Sequence, residues 1–382
     1  MKPPITILRE LENAGYAAYF VGGCVRDTLL GRQIHDWDVT TNARPEQVMA
    51  IFPRCIPTGI RHGTVTVLLE DGAYEVTTFR TDGVYRDARH PEQVRFVEEL
   101  YEDLSRRDFT MNAMAMDAAG SITDPFDGRA DLQDRCIRCV GEPEKRFRED
   151  ALRMLRALRF SAQLGFAVER ETARAIAVCA PLCAALSAER VRDELEKTLL
   201  SERPDGVEEM IRLGLLERYG VREAESPWQP RQLPRERTVR WAAFFARHPQ
   251  LRWQDLRLDR HTGEVAQSSA ALCGTLHDRM GWKQVLRQWG EEVALCAASL
   301  QGQREAVREI LDSGECCTRK ALAVNGRDFP ELRENRLGAV LEALLDHVLL
   351  HPEENRRELL LTHGKNISEK TEKTLDNGKV QC

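Results

Sequence analysis

The spacing of apolar residues along the chain changes near residue 149. Before it the runs are short. "AYFVGG" reads as a strand, "CVRDTLLG" as a helix opened by the glycines, and "WDVTT" as a second strand. "GTVTVLLE" and "AYEVTTFR" are rich in β-branched residues and meet at "DGA", a hairpin signature. From about Glu149 the period becomes helical. In "EDALRMLRALRFSAQLGF" the apolar residues Leu152, Leu155, Leu158 and Phe160 recur at helical spacing. "RETARAIAVCA", "SAERVRDELEKTLLS" and "PDGVEEMIRLGLLERYG" continue the pattern with Gly and Pro punctuation. Residues from about 230 to 360 are also helical in pattern, beyond a Pro/Arg-rich boundary at "SPWQPRQLPRERT". The final stretch "GKNISEKTEKTLDNGKVQC" is polar and predicts disorder. The pattern as a whole predicts a small N-terminal sheet domain followed by a helical array.

Composition narrows this without redirecting it. At 382 residues, with 42% hydrophobic and 30% charged, the chain reads as a globular protein of two to four domains. The N-terminus lacks a secretory h-region, and no apolar run reaches membrane-spanning length, which predicts a cytoplasmic protein without a membrane partner. Eleven cysteines at irregular spacing do not form a disulfide framework. Cys136 and Cys139, with Cys179 and Cys183, would bind zinc only if the pairs converged, so scattered reduced thiols are expected. A net charge of −6 argues against a uniformly basic nucleic-acid binder. Yet Lys145, Arg146, Arg148, Arg153, Arg156 and Arg159 are concentrated against only Glu149 and Asp150.

Candidate chemistry begins with "HDWD". Residues i and i+2 of a strand share a face, so Asp36 and Asp38 can both grip a cation. Two adjacent carboxylates repel unless protonated or shared with one. Magnesium takes oxygen ligands and needs only one or two protein carboxylates when substrate phosphates supply the rest. Gly22 and Gly23 lie between a strand and a helix, where backbone N–H groups can approach a triphosphate. Arg26, one turn further on, suits a phosphate bidentately. Glu75 interrupts a β-rich strand, so it faces solvent or joins the metal region. On its own each signal also fits an ordinary surface. The only His-Asp pair besides His35-Asp36 is His277-Asp278, without spaced partner histidines, so His277 reads as a helix-surface residue rather than part of a metal hydrolase.

The ordered series "VGGCVRD…HDWD…YEVTTFR…RRDFTMNAMAMD…DPFDGR…FREDALRMLRALRF" resembles the class II tRNA nucleotidyltransferases, the CCA-adding enzymes, and the related bacterial poly(A) polymerases. The match covers roughly the first 200 residues, and "LAVNGRDF" resembles the tail of bacterial members. The resemblance implies an α+β nucleotidyltransferase palm, a small mixed sheet with helices, over 1–140. An all-α neck (141–200), body (201–320) and tail (321–364) follow, with 365–382 disordered. It further implies Mg2+ on Asp36 and Asp38, with Glu75 beside the metals. Gly23, Arg26 and Arg107 match nucleotide-binding positions, and Asp150, Arg153, Arg156 and Arg159 match the base-selecting neck motif. The implied partners are tRNA, CTP and ATP, the implied reaction is two-metal phosphoryl transfer, and a homodimer stays open.

The neck motif has a physical reading of its own. Asp150 and Arg153 are three apart and neighbours on a helix. A carboxylate only accepts hydrogen bonds and a guanidinium only donates them. Cytosine and adenine each present an amino donor beside a ring-nitrogen acceptor, whereas guanine and uracil present the reverse. One Asp–Arg pair therefore accepts C and A and leaves buried polar groups unpaired with G and U. Arg156 and Arg159 suit the triphosphate and the RNA backbone. The loop "TDGVYRDARHP", with Arg86 and Arg89, resembles one associated in the family with adding the terminal A. Three alternatives remain at this stage: an enzyme adding only A, a poly(A) polymerase, and a non-catalytic RNA-binding module.

Overall fold

The computed structural model describes residues 3–82, 94–224, 228–275, 277–330, 332 and 334–377, with side chains described except at 82, 94, 334, 335 and 368–377. Most of the loop from Thr81 to Pro91, including Arg86 and Arg89, lies outside the described residues.

The N-terminal strands are β1 (Ala18–Val21), β2 (Asp38–Thr41), β3 (Cys55–Gly59), β4 (Thr64–Leu69), β5 (Gly72–Thr78), β6 (Arg80–Asp82), β7 (Val94–Phe96), β8 (Ala115–Met116) and β9 (Ile122–Thr123). Seven of them form one mixed sheet in the order β3-β4-β5-β2-β1-β8-β9, while β6 and β7 pair separately. Within the large sheet β2 runs parallel to β5, and the other neighbours are antiparallel. The period-2 pattern sets the faces. Val65 and Val67 of β4 and Tyr74 and Val76 of β5 point into the core and are at most 1% exposed. Helices Ile5–Asn13, Gly23–Leu29 and Pro45–Ile51 bury Leu8, Val25 and Val48 beside this sheet domain.

Packing divides the chain into two compact units. One comprises Met1–Arg231 with Asp255–Arg257, the other Gln232–Gln254 with Leu258–Cys382. The division falls within the Pro/Arg-rich stretch. In the first unit the sheet is followed by helices Pro143–Glu149, Leu152–Leu164, Arg170–Cys179, Ala188–Leu199 and Gly206–Arg212. Leu152, Leu155, Leu158 and Phe160 are buried as their spacing predicts. Met154, Ala157, Arg153 and Arg159 are buried too, so this helix is enclosed nearly all round, as a central core helix is. Gly165, in the left-handed conformation at φ 71°, ends it.

The second unit contains helices Arg237–Arg247, Arg260–Ala271, Arg279–Leu300, Arg304–Asp312, Glu334–Leu350 and Arg357–Asn377. Trp282, Val307, Phe329, Leu344 and Leu360 share its core. Two expectations change here. Helical backbone continues to Asn377, past the predicted onset of disorder at 365, because the stretch is polar but free of proline and rich in the helix formers Lys and Glu. His277 is not on a helix surface. It precedes Asp278, whose side chain caps the Arg279–Leu300 helix at Gly281 N (2.7 Å), and its ring packs 4.7 Å from that of Trp282.

Most of the described cysteines behave as core residues. Cys139, Cys179 and Cys183 are buried and free, and burial pushes the Cys139 and Cys183 thiols up to about 12.

Candidate active site

Trp37 anchors the aspartates. Its side chain is 4% exposed and packs 4.7 Å from Phe20 of β1, so the residues on either side turn outward. Asp38 opens β2 and is the register partner of Val21 on one side and Glu75 on the other. Glu75 lies between buried Tyr74 and Val76, so alternation turns it to the open face, as Asp38 is turned. Glu75 thus faces solvent, as one alternative had it, and does so on the same face as Asp38.

Solvent reaches Asp36, Asp38 and Glu75. Surrounding protein nevertheless shields Asp38 enough to raise its carboxyl above the ordinary range. The charges of Glu75 and Asp36 push the same way, and Arg107 opposes them. This is a group that gains from a cation beside it. The three carboxylates are oxygen donors on one face, so the residues present fit a hard divalent metal.

Arg107 is fixed from behind. Its Nη2 donates to Asp103 Oδ2 at 3.2 Å, while Arg106 holds Asp103 Oδ1 at 2.9 Å. Asp103 is fully buried, and burial alone would raise its carboxyl, but Arg106 and Arg107 together hold it below the ordinary value. The Arg107 Nε is buried and has no hydrogen-bond partner. A buried donor without a partner costs about 1–3 kcal/mol. Gly22 closes the cluster. It has φ 76°, and a Cβ there would stand 3.1 Å from Arg107 Nη1 and 3.9 Å from Asp38 Oδ2. The glycine beside the carboxylate face and this arginine is Gly22, one before the Gly23 that the resemblance matches to nucleotide binding.

Arg26 is less open than expected. Its guanidinium is nearly buried, bidentate to Asp27 at 2.9 Å and donating to Asn112 Oδ1 at 2.8 Å, with the Phe160 ring 5.1 Å away.

The neck residues correct the helix argument. Asp150 and Arg153 do not share a helix. Pro143–Glu149 ends at Asp150, which is extended at φ −144°, and Leu152–Leu164 starts afresh after Ala151. The break is stabilised where it occurs. Asp150 Oδ1 accepts from Leu152 N at 3.1 Å, and Oδ2 accepts from Arg190 Nη2 at 2.7 Å. Arg153 donates to Glu149 Oε2 (2.7 Å), Arg146 O (3.0 Å) and Arg106 O (3.0 Å).

Deeper along the helix, Arg156 Nε donates to Asp108 Oδ2 at 2.8 Å. Burial would raise the Asp108 carboxyl, but Arg156 and a hydrogen bond from Asn112 hold it at about 2. Arg159 pairs with buried Glu194, donates to Gln163 Oε1 at 2.7 Å, and stands 3.9 Å over the Phe160 ring. Sequence reasoning missed Asp103, Asp108, Asn112, Arg190 and Glu194. Only Asp108 and Asn112 left a signal, inside the quoted "RRDFTMNAMAMD" segment.

Known proteins resemble both the sheet domain and the helices that follow it. Residues 18–138 match the Poly A polymerase head domain, and residues 165–219 match the probable RNA and SrmB-binding site of polymerase A. A CCA-adding enzyme of Geobacillus thermodenitrificans is 59% identical over 203 residues, 52% of this chain and 50% of that one. That alignment spans about half of the relative's length. A CCA-adding enzyme of Enterococcus faecalis is 38% identical over 398 residues, 97% of each chain. The crystal structure of the Bacillus stearothermophilus CCA-adding enzyme in complex with CTP superimposes with a TM-score of 0.86 at 37% identity, covering 98% of this chain and 100% of that one. Nucleotidyltransferases of this superfamily use divalent metals. With similarity extending over nearly its whole length, the chain belongs to the CCA-adding enzyme family.

Proposed function

We propose that the chain extends tRNA 3′ ends with C, C and A from CTP and ATP, without a nucleic-acid template and with release of pyrophosphate. The observation that carries this is the register of Asp38 with Glu75, next to Asp36 and to an arginine with an orphaned donor. Such a face is built to receive a cation and a polyanion together. A cytoplasmic location accords with a tRNA substrate, and among the described residues no helix is long and apolar enough to cross a membrane. In this reading residues 1–140 form the palm, 141–200 the neck, 201–320 the body and 321–364 the tail that grips tRNA.

Asp36 and Asp38, with Glu75 beside them, would hold Mg2+. Bound there, it supplies the lowered pKa of the RNA 3′-hydroxyl and neutralises charge on the triphosphate. The chain's own residues do the rest. Arg107, braced by Asp103 and partly exposed, offers its guanidinium to a phosphate oxygen, and Gly22 leaves room beside Nη1. Asp150 accepts the amino group of cytosine or adenine, and Arg153 donates to the adjacent ring nitrogen. Arg190 holds the carboxylate and Glu149 the guanidinium from behind. Arg156 and Arg159 keep their place in the base-selecting motif but act through Asp108 and Glu194, which tie that helix to its neighbours. Arg26, clasped by Asp27 and Asn112, orients the glycine turn behind the triphosphate.

The test offers tRNA ending before CCA, tRNA ending after CC, and an unrelated RNA, each with CTP and ATP. CCA on the first, A on the second and nothing on the third is expected. Incorporation only onto tRNA-CC makes this an A-adding enzyme. Long A tracts on generic RNA make it a poly(A) polymerase, and RNA binding without any transfer makes it a non-catalytic module.

A further inference from the structure

The second unit contains a group of side chains to which the proposed transfer chemistry assigns no role. His347 lies near the end of the Glu334–Leu350 helix, Glu354 in the turn Pro352–Glu354, and His363 in the Arg357–Asn377 helix. The connection folds back so that one ligand-capable atom from each lies within 4.8 Å of the other two, an arrangement met nowhere else among the described residues. His347 Nε2 is 2.7 Å from Glu354 Oε2, and His363 Nε2 is 3.6 Å from the same oxygen. The rings of His347 and His363 are 4.5 Å apart and within 31° of parallel.

We infer that His347, Glu354 and His363 form a binding site for a divalent transition-metal ion of the zinc class. Two imidazoles and one carboxylate make up a donor set that zinc takes readily, at about 2.0–2.2 Å from each atom. Tetrahedral ligands at that range stand about 3.3 Å from one another. The two nitrogen–oxygen separations here, 2.7 and 3.6 Å, bracket that edge, so small side-chain adjustments suffice. All three residues are half-buried, which leaves an approach for the ion and a fourth position for water. His351 stands by: its ring is 5.0 Å from that of His347, and its Nδ1 is 3.8 Å from Glu353. Magnesium fits poorly, since it prefers an all-oxygen shell. The ligands come from both helices and the turn between them, so the ion acts as a clip on this helical hairpin.

The experiment titrates zinc into the full chain, purified without a polyhistidine tag, and follows binding by calorimetry and thermal stability. One equivalent at micromolar affinity or tighter, with a raised melting temperature, is expected in a chain whose Asp36 and Asp38 are both replaced by Ala, so that the carboxylate face of the first unit takes up no ion. His347→Ala/His363→Ala and, separately, Glu354→Gln weaken binding at least about tenfold, since loss of an outer-shell partner alone costs about 10–100-fold. His261→Ala, whose imidazole pairs with Glu292 elsewhere in the unit, leaves binding unchanged. Substituted cobalt gives imidazole–carboxylate bands without thiolate-to-metal charge transfer. No saturable binding in the micromolar range overturns the proposal. So does binding undiminished in the double variant, which places the metal elsewhere, or a thiolate band, which assigns it to cysteine.

Discussion

Asp108→Asn tests the electrostatics that hold the neck helix in place. The substitution keeps the shape of the side chain and removes its charge. In the native chain Asp108 accepts from Arg156 and Asn112 and is 9% exposed. Its carboxyl is held at about 2 against an ordinary 3.8. At about 1.4 kcal/mol per pH unit, the charged form is stabilised by about 2 kcal/mol in the fold. Arg156 keeps a third of its surface in water, so the cost of orphaning it stays below the about 3–5 kcal/mol of a wholly buried pair. The expected loss at neutral pH is thus about 2 kcal/mol, read by urea unfolding of both proteins. The sign of the pH dependence follows from the depressed value. A depressed carboxyl contributes in full above its unfolded pKa, and the contribution is lost as pH falls from about 4 toward about 2. Wild type and variant should therefore differ equally at neutral pH and near pH 5, converging only below about 4. Equal stability at neutral pH, or a gap that narrows between neutral pH and pH 5, would refute the reasoning.

Three other outcomes are expected. Asp36→Ala or Asp38→Ala abolishes nucleotide transfer while tRNA binding in a gel-shift assay persists; full activity in both variants removes the metal assignment. Arg153→Ala relaxes base choice, with discrimination against UTP and GTP falling at least about tenfold, because a wrong base then no longer orphans a buried donor. Unchanged discrimination in single-nucleotide incorporation counts against the pairing. Gly22→Ala adds about 1–3 kcal/mol of backbone strain at φ 76° and crowds Arg107 Nη1, so kcat/KM for CTP and ATP drops together. A variant with native kinetics shows that the turn does not shape the triphosphate site.

The strands, the hairpin and the aspartate face were legible because each follows from period-2 alternation and turn residues. Glu75 was half legible: its strand was clear, but its facing depends on Tyr74 and Val76 both being buried. The helix break at Asp150 was not legible, because "FREDALRML" contains neither Gly nor Pro. It depends on Arg190, 40 residues away, and on a side chain capping Leu152. Asp103 was invisible for a similar reason. In "LYEDLS" it looks like any acidic residue of a first helical turn, and only the fold buries it between Arg106 and Arg107. The His347–Glu354–His363 group likewise needs the helical hairpin before its members meet.

The β4–β5 hairpin has a consequence for how the reaction centre tolerates change. Leu69 pairs with Gly72, which leaves only Glu70 and Asp71 to reverse the chain. That turn fixes the parity of β5, deciding whether odd or even positions look outward. One residue added there would move Tyr74 into the place of Glu75 and Glu75 into the place of Val76, turning an aromatic ring onto the carboxylate face and sending a carboxylate into the core. If the carboxylates hold the metal as proposed, the length of a surface turn is a condition of catalysis, and an insertion at Glu70–Asp71 would disarm the chain as surely as loss of an aspartate.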